Sequence, residues 1–157
     1  MHLRISHLIR TGSVLGVLAL LSCDPGLHYR PEHWLPTSKQ FWRTTALPGV
    51  ELETMGIGAL IGTQALAPDF TVHNHTAESI VLAGGLLETA QGRYATVPVQ
   101  EGHEQWFTVP PHQAKRITLT FPLPQPVFVV LKDPVVVTLS IHRGATVHTV
   151  AIPMVRR

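Results

Sequence analysis

The chain has 157 residues, one cysteine, and 12 Lys plus Arg against 10 Asp plus Glu, a length that suits a single domain with its own core. A lone cysteine excludes an intrachain disulfide framework. A net charge of +2 with no run of Lys or Arg excludes the basic field that a nucleic-acid binder presents, and the final Arg156-Arg157 pair is too small to supply one.

Residues 1–22 have the three parts of a secretory signal peptide: Arg4 and Arg10 in a basic head, an apolar stretch from Val14 to Leu21, and small Ser22 before the cut. The stretch falls short of the roughly 20 apolar residues that span a bilayer. At Leu20-Leu21-Ser22-Cys23 the sequence resembles the lipobox of bacterial lipoproteins, with Leu at the third position before the cysteine and a small residue just before it. Leu21 departs from that pattern, which more often has a small residue there. The resemblance implies a diacylglyceryl group on the Cys23 sulfur and often an acylated amino terminus. At about 0.8 kcal/mol per buried methylene, two or three chains hold a protein on a membrane where one would not. Cys23 is then an anchor, and the membrane is a partner through it.

Asp24 resembles the signal that keeps lipoproteins of enteric bacteria on the inner membrane. The expected location is the bacterial cell envelope, lipid-anchored and facing the periplasm, on the inner membrane rather than the outer. Without Arg4 and Arg10 the mature chain carries ten basic and ten acidic residues and is formally neutral. Its eight remaining histidines add positive charge on acidification near pH 6.5.

Residues 23–48 carry Pro25, Pro31, Pro36 and Pro48 with little periodicity, which suggests a lipid-anchored extended tether. Tyr29, Trp34, Phe41 and Trp42 are more than a solvated linker needs, so they pack on the domain or lie at the lipid surface. Residues 49–157 change to short runs rich in Val, Ile, Thr and Phe between Pro, Gly and polar turns, the spacing of an antiparallel β-sandwich. The predicted strands are 50–54, 69–74, 79–88, 94–97, 105–109, 116–121, 127–131, 135–142 and 146–154. The glycine-bearing run 55–62 reads equally as a strand or a helical turn.

Arg143-Gly144 is a plausible two-residue turn. It would place Leu139 opposite His148, Val137 opposite Val150 and Val135 opposite Ile152, gathering Val, Leu and Ile on one face.

The stretch Asp69 to Thr76, the apolar run Ile80 to Leu87, Gly92-Arg93-Tyr94, and Val109-Pro110-Pro111 leading to Ile117, Leu119 and Phe121 together resemble the secreted immunoglobulin-like domains of bacterial lipoproteins. Those domains share an Asn-x-Thr strand end, here Asn74-His75-Thr76, a Gly-x-Tyr turn and a proline-led loop before an outer strand. The usual Pro-Gly of that loop is Pro110-Pro111 here, and no immunoglobulin cysteine pair exists. The resemblance implies an immunoglobulin-like antiparallel β-sandwich acting in adhesion, assembly or an accessory role.

For chemistry, His73-Asn74-His75 is the most suggestive constellation. Residues two apart on a strand share a side, so two outward imidazoles can share a metal, with His103, Glu104, His112 or His142 as further ligands if the fold gathers them. Met55 and Met154 extend that set only for soft copper. There is no Gly-x-Ser-x-Gly elbow, and His103-Glu104 lacks the second histidine of a zinc-protease helix. Glu101, His103 and Glu104 offer acid–base groups, but Gly102 among them suggests a hairpin loop. Gly56-x-Gly58 with Gly62 has the wrong spacing for a dinucleotide loop. No catalysis and no cofactor is implied. The expected function is a protein-binding or structural accessory module whose partner is another envelope protein, with Pro122–Pro126 and the following 127–131 run as an edge for strand addition. The alternative is a periplasmic metal-binding lipoprotein built on His73 and His75.

Overall fold

The computed structural model describes residues 26–59, 62–98 and 102–157. The signal segment, Cys23, Asp24 and Glu101 lie outside them. The described chain forms β1 (Leu27–Pro31), β2 (Leu35–Pro36), β3 (Trp42–Leu47), β4 (Val50–Thr54), β5 (Ile57–Ala59), β6 (Ala65–Leu66), β7 (Asp69–Asn74), β8 (Ile80–Thr89), β9 (Gly92–Ala95), β10 (Thr108–Val109), β11 (Ala114–Thr118), β12 (Phe121–Pro122), β13 (Val135–Arg143) and β14 (Thr146–Arg156).

These strands build an all-β sandwich. A seven-stranded sheet runs β10-β8-β13-β14-β1-β5, with β9 also on β8, and a five-stranded sheet runs β11-β7-β4-β3-β2. A small β12-β6 pair accompanies them, and every pairing is antiparallel. Period-two patterning sends Val50, Leu52, Phe70 and Val72 of one sheet and Leu82, Leu87, Val137, Leu139, Ile141 and Ile152 of the other into one apolar core, which also buries Phe121.

Residues 27–48 are part of this sandwich, where their prolines had suggested an extended tether. β1 pairs with both β14 and β5, and β2 and β3 belong to the smaller sheet. The cause is the alternation Leu27-His28-Tyr29-Arg30-Pro31, whose first, third and fifth residues are buried. Tyr29 is 2% exposed, and its hydroxyl donates to the Leu131 carbonyl at 3.4 Å. Burial and the charge of Asp133 raise its pKa. Trp42 is buried, with the Arg157 guanidinium 4.1 Å above its ring. Tyr29, Trp42 and the partly buried Trp34 therefore pack on the domain.

Two expected strands contain helical turns. Glu104–Phe107 is one turn followed by the two-residue β10. Val127–Val130 is another. In the second, Val127, Val130 and Leu131 are buried while Phe128 is exposed, a helical spacing that an unbroken apolar run conceals. This segment is therefore no free strand edge, and the Val127 N–H donates to the Thr63 carbonyl at 2.8 Å. The run 55–62 contains the short strand β5. The expected strand 116–121 is interrupted between β11 and β12.

The β13–β14 hairpin exists, but its turn is Gly144-Ala145. Leu139 faces Val150, Val137 faces Ile152 and Val135 faces Met154. The partner of each residue differs by two positions from the expectation, so the same side chains stay on the same face. Gly144 takes φ 57°, which the tight turn uses.

Candidate functional site

The outer face of the five-stranded sheet is charged. Arg43 on β3 donates through Nε (3.1 Å) and Nη2 (2.8 Å) to Glu53 on β4, and its Nη1 lies 3.5 Å from Glu51. Asp69 on β7 accepts from Arg116 and Thr118 on β11. Burial alone would raise the Asp69 pKa, but these two hydrogen bonds and the Arg116 charge outweigh it and hold the carboxyl below its usual value.

His73 and His75 lie beside this network. Their rings stack with centroids 6.5 Å apart and planes 11° apart. His75 Nε2 is 3.5 Å from Glu51 Oε2, while His73 Nε2 is buried and makes no hydrogen bond among the described residues. Burial, then the charge of Arg43, lowers the His73 pKa against smaller opposing effects of Glu53 and Glu51. That imidazole is neutral at pH 7. Ligating lone pairs lie in the ring planes, so two nearly parallel stacked rings aim side by side and do not converge on one ion. Among the described residues, no three His, Cys, Asp or Glu side chains are grouped to hold a metal ion. His103, Glu104, His112 and His142 are not brought to the pair.

Between the two histidines, Asn74 points inward and is 1% exposed. Its Nδ2 lies within hydrogen-bond reach of three carbonyl oxygens, those of Glu78 (2.8 Å), Val109 (3.1 Å) and Pro110 (3.0 Å). Its Oδ1 accepts from the N–H (3.0 Å) and hydroxyl (2.8 Å) of Thr76. This one side chain ties the end of β7 to the chain entering β8 and to the crossing from β10 toward β11. The Asn-x-Thr motif is thus a structural clamp, and sequence reading found its place without its role.

His103 stacks on Trp106 at 4.2 Å, planes 6° apart. Beside them is a groove of about 240 Å³ lined by Val97, Pro98, Phe107 and Leu119 together with threonines, with no carboxylate among the described residues that line it. Glu104 opens the helical turn and is exposed. Of the expected acid–base trio, Glu101 lies outside the described residues, and Glu104 is not among the described residues that line the groove.

The outer face of the seven-stranded sheet has the opposite character. The cross-strand pairs Val81–His142 and Leu86–Thr138, with Ser140, Thr149, Ala151 and Val155, cover it without a Lys, Arg, Asp or Glu. Charge is confined to its rim, in the Arg93–Glu88 pair (2.7 Å), Arg30, and Arg143 with Glu78. At its centre Gly84, Gly85, Leu86, Thr138, Ser140 and Thr149 line a depression of about 270 Å³. Sequence reading missed this face. The signal was the run of uncharged alternate positions in 135–155. No protein-family model and no curated protein matches the chain.

Proposed function

We propose that this chain is a lipid-anchored envelope lipoprotein whose immunoglobulin-like sandwich binds another envelope protein through the outer face of its seven-stranded sheet. The observation that carries the reading is the contrast between the two outer faces. One holds Arg43, Glu51, Glu53, Asp69 and Arg116, each with an ionic partner, and the other is uncharged with charge only at its rim. Interface centres are depleted of charge and ringed by polar groups. The lipobox at Leu20-Leu21-Ser22-Cys23 supports the anchor, and Asp24 supports the inner membrane.

A photoreactive amino acid at Thr138, in cells that export the chain, tests the reading. It is expected to give an adduct of one defined size, while the same probe at Thr45, exposed on the charged sheet's outer face, gives none. No adduct at Thr138, or equal adducts at both positions, would count against it.

A further inference from the structure

The two long strand edges of the sandwich are finished differently. β11 ends the five-stranded sheet and carries Lys115 and Arg116. The Lys115 ammonium donates to the carbonyls of Gln105 (2.6 Å) and Thr108 (3.2 Å). Charged side chains and neighbouring chain cover are common guards against edge pairing.

β14 has no such guard. It pairs with β13 from Thr146 to Met154, but with β1 only from Met154 to Arg156. Among the described residues, no strand lies on the other side of Thr146–Ile152. The polarity of that open side follows from the hydrogen bonds of its far end. Glu32 N–H donates to the Pro153 carbonyl, and Arg157 N–H donates to the His28 carbonyl, both at 2.9 Å. Residues 153 and 157 therefore direct their backbone groups away from β13. The N–H and C=O of one strand residue point to the same side and alternate along the strand. The β13–β14 register is unbroken, so Val147, Thr149 and Ala151 present three N–H and three C=O groups to the open edge. Val147 is 56% exposed, and Thr149 and Ala151 are exposed too. Thr146–Ile152 contains no charged residue, no proline and no bulge.

We propose that this edge is a homodimer seam, in which β14 of one copy pairs antiparallel with β14 of a second copy about a two-fold axis. The occupant follows from self-complementarity. An antiparallel two-fold pairing sets the row Val147, Thr149, Ala151 against the same row reversed, so each donor meets an acceptor. An uncharged segment sets no like charges against each other across the axis. The uncharged outer faces of the two copies then run on as one surface. The proposal deepens the binding-module reading but requires neither the lipid nor an envelope partner.

The geometry supplies a substitution that separates pairing from folding. Proline at position 149 removes an N–H that points to the open edge and leaves the β13 ladder intact. Proline at 148 removes a ladder donor and disrupts the hairpin. Light scattering on the full chain in detergent, corrected for bound detergent, is expected to give twice the chain mass for wild type. Thr149→Pro and Thr149→Lys should give a single chain mass with wild-type near-ultraviolet circular dichroism, and His148→Pro should lose that signal. A wild-type monomer overturns the proposal, as does a Thr149→Pro chain that remains dimeric. A monomer whose photoprobe at Thr149 captures a different protein also overturns the second copy, while the binding-module reading stands. A dimer whose Thr138 probe yields no adduct removes that reading and leaves the seam.

Discussion

Asn74 is the residue whose removal the sandwich should feel most for its size. Asn74→Ala deletes two amide hydrogens shared among the carbonyls of Glu78, Val109 and Pro110, and the oxygen that accepts from Thr76. Four bonds at about 1 kcal/mol net each, less what water restores near the part-buried carbonyls, give a loss of about 3 kcal/mol. For a domain of this size that lowers Tm by about 10 °C. Urea unfolding should show the loss as a shifted midpoint with an unchanged slope, because the surface exposed on unfolding is the same. Asn74→Asp should cost at least as much at pH 7, since a buried carboxylate would face three carbonyl oxygens. Part of that cost should return at a pH low enough to protonate the carboxyl. A loss below about 1 kcal/mol for Asn74→Ala would refute the clamp, because it would mean that water replaces those bonds freely.

Other expected outcomes follow from neighbouring observations. Asp69 is held below its usual pKa, so its contribution is present above pH ~3.8 and is lost as pH falls through the folded value. His73 is also lowered, so the unfolded chain takes the proton first and stability falls on acidification from about pH 6.5 down through the folded value. His73→Gln should flatten the urea midpoint between about pH 7 and 5, and an unaltered slope there would contradict the buried neutral imidazole. Gly56→Ala should cost more than about 2 kcal/mol by thermal unfolding, because Gly56 has φ 88° and an added Cβ would lie 2.1 Å from the Tyr29 carbonyl oxygen. Near wild-type stability would show that β1 yields there. Arg43→Ala should cost under about 1 kcal/mol and be salt-sensitive, since its ion pairs are partly exposed. Zinc titrated calorimetrically should give the same heats for wild type and for His73→Ala with His75→Ala, and a saturable site lost in the double variant would revive the metal reading.

The fold was legible where one periodicity acted alone. β4 and β7 carry alternating buried residues and match the expected strands end to end. β1 carries the same alternation in Leu27, Tyr29 and Pro31, but prolines around it masked the pattern, since proline occurs both in extended linkers and at strand ends. The 127–131 run was ambiguous because five apolar residues in a row satisfy period two and period 3.6 equally. The hairpin turn was displaced by one residue, which moves the pairing by two and leaves every face unchanged, so patterning has no power to correct it. For the site, Asn74 could be placed by its motif, whereas its partners at Val109 and Pro110 lie 35 and 36 residues away. The open stretch of β14 was invisible because it depends on where β1 stops pairing, a long-range property that no local pattern encodes.

The most direct test of the lipoprotein reading is the intact mass of the chain extracted from membranes of a bacterial host, beside a Cys23→Ala control. The account predicts a chain that begins at Cys23 and carries acyl mass, with both features lost in the control. A chain that begins elsewhere, or one without lipid, would contradict the anchor and leave the sandwich to act away from the membrane.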